Sequence, residues 1–317
     1  MNQGWVYQER VGKAASGQSL LAYYCDRYPH SSEDEWRSRI RAHQVLLNGQ
    51  PAQPETILQP GQQLAYHRPP WQEPEVPLAF EVIYADDDLL AVAKPSGLPV
   101  MPGAGFLEHT LLHQLKKHYP TDPPVPIHRL GRGTSGLVLL GRSPLAKSGL
   151  TRQMRDRQIH KVYLALATGT DLPEQFVIQR AIGKIPHPSL GYIYGAVADD
   201  DPSASFAHSE CQVLHRDVET TLLEVTILTG RPHQIRIHLA AAGYPLLGDP
   251  LYGIGGIPQL VPNPETGQWP VPGDCGYQLH AFELGCIHPR SGQPMQWIAP
   301  PPAALDRASA PGRTCSD

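Results

Sequence analysis

A basic excess is missing from this sequence: 26 Lys and Arg face 30 Asp and Glu, for a net charge of −4 over 317 residues. That excludes a polycationic arm or coat as a route to nucleic acid. Any such binding must use a local basic surface, with the acids placed elsewhere. Paired cysteines are missing too. Cys25, Cys211, Cys275, Cys286 and Cys315 form no C-x-x-C pair and are odd in number, which argues against a zinc site or a disulfide framework and for reduced, cytoplasmic thiols. The first residues, MNQGWVYQER, carry no apolar signal core, and no apolar run approaches membrane-spanning length, so no membrane partner is expected. Proline, in contrast, is plentiful at 34 residues, which favours turns and loops over a helical bundle.

The length suits one large domain beside a smaller one. Residues 31–67 read as a small unit. Ser32 and Glu35 form an S-x-x-E capping box that starts a helix ending near His43, with Arg37, Arg39 and Arg41 along it. VLL, the Asn48-Gly49 turn and a second strand follow, then Pro60-Gly61 and QLAYH. RPPWQEPEVPLA (68–79) lacks periodicity and reads as an extended proline-rich linker. The expected organisation is therefore a module over 1–70, a linker over 71–79, a large domain over 80–305 and a tail over 306–317. In the large domain, short apolar runs separated by turn residues predict strands at 80–84, 89–93, 137–140, 161–169 and 221–228. Helical patterns are fewer, at 109–119, 144–157 and 232–243. No strict strand-helix alternation is present, so the fold class is α+β with a mainly antiparallel sheet.

HRLGRGTSG (128–136) offers a G-x-G-x-x-G pattern from Gly131 to Gly136, with Asp156 some way beyond. A nucleotide loop needs a buried strand before it and a helix after it. Prolines precede this one and the strand-like LVLL follows, so the dinucleotide reading fails. The serine-elbow pattern G-x-S-x-G fails because residue 137 is Leu. Asp86, Asp87 and Asp88 are consecutive in a turn, and neighbours in a turn do not converge on one ion as spaced ligands do. His233 and His238 are five apart, not the four of H-E-x-x-H, which speaks against zinc.

Five stretches together resemble the RluA class of RNA pseudouridine synthases, in that family's order and over nearly all of 80–305. VIYADDDLLAVAKPSGLPVMPGAG (82–105) is similar to its first motif, and HRLGRGTSG to its active-site loop. RQIHKVYLALATG (157–169) is similar to its Lys-x-Tyr strand, LTGRPHQIRIHLAAAGYPLLGDPLYG (228–253) to its longest motif, and 277–305 to its closing strands. The helix-strand-turn-strand order near the N-terminus resembles the alpha-L RNA-binding module that often precedes such domains. The resemblance implies an α+β, mainly antiparallel mixed-sheet catalytic domain with a small N-terminal α/β RNA-binding module. It implies a monomer that isomerises a uridine in structured RNA, ribosomal or transfer, with no DNA partner, no cofactor and no metal. The target base must leave its stack, and Arg129 occupies the place of the arginine that helps displace it. Tyr163 occupies the place of the tyrosine that stacks on the uracil and takes the proton from its fifth carbon. Arg236 occupies the place of the arginine that pairs with the catalytic aspartate. Lys94, Arg132, Thr134, Lys161, Arg231 and His233 are expected at bound RNA, with Arg37 and Arg41 in the module. In 228–253, Pro232 suits a first helical turn, and Ile235, Leu239 and Ala242 give the expected buried face.

One position departs from the pattern. The family places its aspartate nucleophile directly after His-Arg-Leu; here the residue is Gly131, and Gly133 replaces another commonly acidic position. Three readings follow. The chain is a working synthase that recruits another acid, Asp156 or Asp249 being the nearby candidates. Alternatively, it binds or remodels RNA without isomerisation. As a third reading, the glycine-rich loop serves a different, small-molecule reaction.

Overall fold

The computed structural model describes residues 1–187, 190–262, 267 and 269–306. Cys315 and all but the first residue of the expected tail lie outside them. Two compact units are present, one of Met1–Glu73 with Pro186–Tyr192, the other of Pro74–Ile185 and Ile193–Asp317.

The smaller unit contains β1 (Trp5–Arg10), α1 (Leu20–Arg27), α2 (Glu33–Arg41), β2 (Val45–Leu47), β3 (Gln50–Pro51) and β4 (Gln63–Arg68), with sheet order β1-β4-β2-β3. The capping box forms as expected. Ser32 Oγ accepts from the Glu35 N–H at 3.2 Å, and the Glu35 carboxylate accepts from the Ser32 N–H at 2.8 Å. Trp36 and Ile40, one helical turn apart, are buried against Leu20, Tyr24, Val45, Leu58 and Leu64. Asn48 and Gly49 both take positive φ, 50° and 78°, as a two-residue hairpin with right-handed strand twist requires. The helix stops at Arg41, short of His43, which lies in the left-handed region at φ 58°. The stretch expected as a linker from residue 71 is tied to the chain's start as far as Glu73: Asn2 accepts from the Trp71 N–H at 3.0 Å and donates to Glu73 at 2.7 Å.

The larger unit is built on β5 (Glu81–Ala85), β6 (Leu89–Lys94), α3 (Leu111–His118), β7 (Val125–Pro126), β8 (Ser135–Gly141), α4 (Pro144–Arg155) and β9 (His160–Thr168). It continues with β10 (Gln175–Ile178), β11 (Ile182–His187), β12 (Gly191–Ala196), β13 (Ser209–Arg216), β14 (Thr220–Ile227), α5 (Gln234–Ala241), β15 (Leu279–Ile287) and β16 (Pro294–Ile298). Its main sheet runs β10-β13-β14-β9-β15-β8-β6-β5, with β16 on β15 and β7 on β8; β11 and β12 form a separate two-stranded ladder. Every ladder of the main sheet is antiparallel except β15 with β8. The expected α+β class with a mainly antiparallel sheet is what the chain adopts.

The parallel seam is short: His280 faces Ser135 and Ala281 faces Gly136. Gly136 has φ 103°, and a Cβ there would lie 2.2 Å from the Ala281 carbonyl oxygen, so only glycine lets the two backbones approach. Ser135 Oγ meets His280 Nδ1 at 2.8 Å, and the other ring nitrogen meets the Ala299 carbonyl at 3.1 Å. Burial lowers the His280 pKa, so the ring stays neutral; Nδ1 crosses the seam to β8, while Nε2 ties β15 to the residue after β16. At the opposite end of β6, the Asp86 carboxylate accepts from the Asp88 and Leu89 N–H groups, and Asp88 binds Arg290 and Ser143. The acidic triplet is thus a turn whose charge is met by an arginine. Among the described residues no helix is long and apolar enough to cross a membrane.

Candidate active site

Loop 128–134 enters β8, and its shape is set by the Lys-Pro-Ser-Gly turn after β6. Lys94 is 1% exposed. Its ammonium donates to the carbonyls of Pro95 (2.9 Å), Leu98 (2.8 Å) and Arg132 (3.2 Å). Ser96 Oγ donates to the Gly133 carbonyl at 2.7 Å and the Gly97 N–H to the Arg132 carbonyl at 2.8 Å. Lys94 is therefore not a surface contact for RNA, as expected from the motif, but the staple that holds the loop; burial pushes its pKa down to about 7. Arg132 is also committed, since its Nε donates to the Gly273 carbonyl and its guanidinium lies 5.4 Å from the Phe106 ring centre. Thr134 is buried, its hydroxyl 3.3 Å from the Tyr277 phenol, so it faces the interior and not bound RNA. Arg129 is exposed. His128 Nε2 accepts from the Leu139 N–H at 3.0 Å, and burial pushes the imidazole down to about 4, leaving it neutral.

Arg236 forms the second part of the site. The helix carrying it begins at Gln234, with Pro232 outside it and His233 as a left-handed N-cap at φ 54°. Ile235 and Leu239 are buried as expected, but Ala242 is an exposed C-cap, and every residue from Gln234 to Ala240 is buried. The charge of Arg236 is met by an acid 13 residues on. Its Nε and one Nη donate to the two Asp249 oxygens at 2.7 and 2.8 Å, and the other Nη donates to the Pro272 carbonyl at 3.2 Å. Asp249 also accepts the N–H groups of Leu251 (2.9 Å) and Tyr252 (3.1 Å). The two side chains are 2% and 1% exposed. Burial opposes the guanidinium charge, and the Asp249 hydrogen bonds together with the nearby Tyr277, Asp249 and Tyr252 groups outweigh it.

Asp249 therefore stands where the resemblance placed a catalytic aspartate, as partner to the arginine, yet its oxygens are already saturated and closed off. It is a fixed counter-ion, not a free replacement for the missing acid. Asp156 is the C-cap of α4 and pairs with its neighbour Arg155, which accounts for it without the site.

Tyr277, which no motif singled out, completes the centre. Its ring centre lies 4.1 Å from the Arg236 guanidinium carbon, a cation–π contact that burial strengthens. A Cβ at Gly131 would lie 2.9 Å from its phenol oxygen, and a Cβ at Gly133 would lie 2.9 Å from Cε1 and Cζ. The ring thus occupies the space that side chains at 131 and 133 would need. Neither glycine has positive φ, so small size, not backbone freedom, is what the site uses. The loop turns here, the Thr134 N–H donating to the Gly131 carbonyl at 3.1 Å, but the turn does not require glycine at either place, and the smallness of both was the available signal for a large side chain arriving from elsewhere.

Tyr163 projects from β9 into the cluster that contains Leu130, Ile235 and Tyr277. Burial alone pushes its phenol up to about 12, so it is uncharged at neutral pH. Lys161, two residues earlier, is also buried, and burial lowers its pKa. His233 was expected at RNA; instead its Nδ1 meets the Tyr252 phenol at 2.8 Å, whose hydroxyl donates to the Tyr194 carbonyl at 2.7 Å. Burial and the Arg236 charge push His233 down to about 4, against Asp249, so it offers phosphate no charge at neutral pH. Arg231 is half-buried, its Nε donating to the Phe206 carbonyl at 2.9 Å. In the small unit, Arg37 is bound by Glu33 (2.6 Å) and Glu55 (3.3 Å), while Arg41 is exposed.

The family model for RNA pseudouridylate synthase matches residues 88–241, which span the loop, Tyr163 and Arg236. An RNA pseudouridine synthase of Synechocystis, itself uncharacterised, is 49% identical over 90% of this chain and 95% of its own length. The chain belongs to the RNA pseudouridylate synthase family. RNA pseudouridine synthase 5 of Arabidopsis thaliana is 37% identical, covering 90% of this chain and 89% of the relative. The ribosomal large subunit pseudouridine synthase D of Neisseria meningitidis is 34% identical over 90% of this chain and 76% of the relative, in keeping with the RluA class. Among solved structures, human RNA pseudouridylate synthase domain containing 1 shares the fold, with a TM-score of 0.56 at 23% identity over 74% of this chain and 89% of that one.

Proposed function

We propose that this pseudouridylate synthase isomerises a uridine of structured RNA to pseudouridine, with ribosomal RNA as the first substrate to test and transfer RNA as the second. The reading is carried by one observation: Tyr163, an uncharged phenol on β9, packs in the same cluster as Leu130 of the loop and Tyr277, whose ring covers Arg236. Pseudouridine formation breaks the bond from ribose C1′ to uracil N1, turns the base over and joins C1′ to C5. It is neutral in electrons and calls for no cofactor. Tyr163 would lie flat on the uracil and take the proton from C5, and Arg129, exposed in the loop, would hold the target nucleotide out of its stack. The Neisseria relative's name favours ribosomal over transfer RNA. The small unit, over residues 1–70, would act as an RNA-binding module, with Arg41 placed to reach phosphate.

The test is to incubate unmodified ribosomal and transfer RNA with wild type and Tyr163→Phe, then map pseudouridine by mass spectrometry. Product from wild type that is lost with Tyr163→Phe is expected. RNA binding without product from wild type would overturn the isomerase reading in favour of a non-catalytic one.

A further inference from the structure

We infer that the phenol oxygen of Tyr277 replaces the missing carboxylate as the group that bonds to ribose C1′. This rests on the isomerase reading above. An aspartate's carboxylate oxygens stand about 2.4 Å from its own Cβ, by ordinary covalent geometry. The Tyr277 oxygen lies 2.9 Å from the Cβ position of residue 131. It therefore occupies nearly the shell a carboxylate oxygen would fill at that site. The ring reaches this place only because residues 131 and 133 have no side chains, so the two losses and the one arrival form a single exchange.

The surroundings suit an oxygen that forms and breaks a bond to carbon. The guanidinium of Arg236 lies on the ring at 4.1 Å and would stabilise negative charge on the oxygen as the sugar departs. The Thr134 hydroxyl, at 3.3 Å, fixes its direction. Tyr277 is 3% exposed; with Gly133, Ser135 and His280 it lines a pocket of about 700 Å³ whose lining does not include Arg236, Thr134 or Tyr163. The acids named from the sequence do not compete: Asp249 is saturated and Asp156 caps a helix. Tyrosine nucleophiles at an anomeric carbon are known chemistry in sialidases.

The steps balance within the site. In the first, Oη bonds to C1′ as the C1′–N1 bond breaks. The bonding pair stays on the uracil, and the phenol proton passes to N1. The base then turns over. In the second, C5 bonds to C1′ as the Oη–C1′ bond breaks, and the proton released from C5 passes by way of the Tyr163 phenol, which gives up its own, to the Tyr277 oxygen. The N1–H of the product is the former phenol proton. Burial raises the Tyr277 pKa even against Arg236 and Thr134, so the phenol carries at neutral pH the proton that the first step needs.

Tyr277→Phe keeps the ring over Arg236 and removes only the reacting oxygen. It is expected to cut pseudouridine formation by about a thousandfold or more, with RNA affinity and thermal melting unchanged. Rapid-quench digestion of wild type during turnover should yield a ribose adduct on the peptide containing Tyr277. Gly131→Asp combined with Tyr277→Ala should recover product that Tyr277→Ala alone lacks. Wild-type turnover by Tyr277→Phe, or an adduct on another residue, overturns the inference while leaving the isomerase reading intact. Wild type without product on any RNA fails that reading itself, and this inference with it.

Discussion

Gly131→Ala is the sharpest probe of the exchange at the centre of the site. At a glycine whose φ is not positive, alanine ordinarily stabilises a protein by about 0.4–1 kcal/mol, because the unfolded chain loses freedom. Here the new Cβ would sit 2.9 Å from the Tyr277 oxygen and 3.4 Å from Thr134 Oγ1. Tyr277 is 3% exposed and carries Arg236 on its face, which limits how far the ring can yield. Overpacking of this kind costs about 1–3 kcal/mol, which exceeds the unfolded-state gain. The net expectation is a loss of about 1–2 kcal/mol, seen as a fall of about 2–8 °C in Tm for a unit of this size. Urea melts of wild type, Gly131→Ala, Tyr277→Ala and the double variant form a cycle. Tyr277→Ala alone leaves a cavity and costs about 3–5 kcal/mol, but it opens the space that a Cβ at 131 needs. The cycle should thus show a favourable coupling of about 1–3 kcal/mol in the double variant. A Gly131→Ala protein as stable as wild type, or an additive cycle, would refute the reasoning.

Three further outcomes are expected. Asp249→Asn leaves the Arg236 charge buried without its partner and should cost about 3–5 kcal/mol in equilibrium unfolding; a loss below about 1 kcal/mol would contradict the pairing. Hydrogen bonds from Arg290 and Ser143 hold the Asp88 carboxyl down to about 2. Its contribution is therefore complete above the ordinary carboxylate pKa of about 4 and fades as pH falls from there towards 2, and Asp88→Asn should flatten that acid limb in melts recorded across pH. In RNA-binding titrations, Arg41→Ala should reduce the slope of log affinity against log salt by about one, while Arg37→Ala, already neutralised by Glu33 and Glu55, should leave it unchanged; equal effects would sink the distinction.

The strands nearest the site were legible because they are apolar runs between turn residues, as in Leu89–Lys94 and Ser135–Gly141. The capping box at Ser32 and Glu35 and the Asn48-Gly49 hairpin were legible because their geometry is local. The outer strands Gln175–Ile178 and Ser209–Arg216 were not, since their polar residues and short span leave little periodicity. Helix α5 reads as one-sided because Arg236 and His238 look solvent-seeking. Their burial depends on Asp249 for one and on Ser209 and the Arg180 carbonyl for the other, partners beyond any helical window. Lys94 misled for the same reason, since the Arg132 carbonyl it holds is 38 residues away. Tyr277 lies more than 140 positions from the glycines that admit it, and only the unexplained smallness of Gly131 and Gly133 hinted at its arrival.

The two-residue seam between β8 and β15 also has a temporal meaning. It joins segments about 145 positions apart, and the later one leaves the ribosome well after the earlier. The β5–β6 hairpin closes over a short loop and can form early, whereas a contact of such long range is slow to find. Until Gly136 meets Ala281, Tyr277 has no place beside the glycines. The growing polypeptide thus carries an incomplete site while translation proceeds, and that site is assembled only when β15 docks.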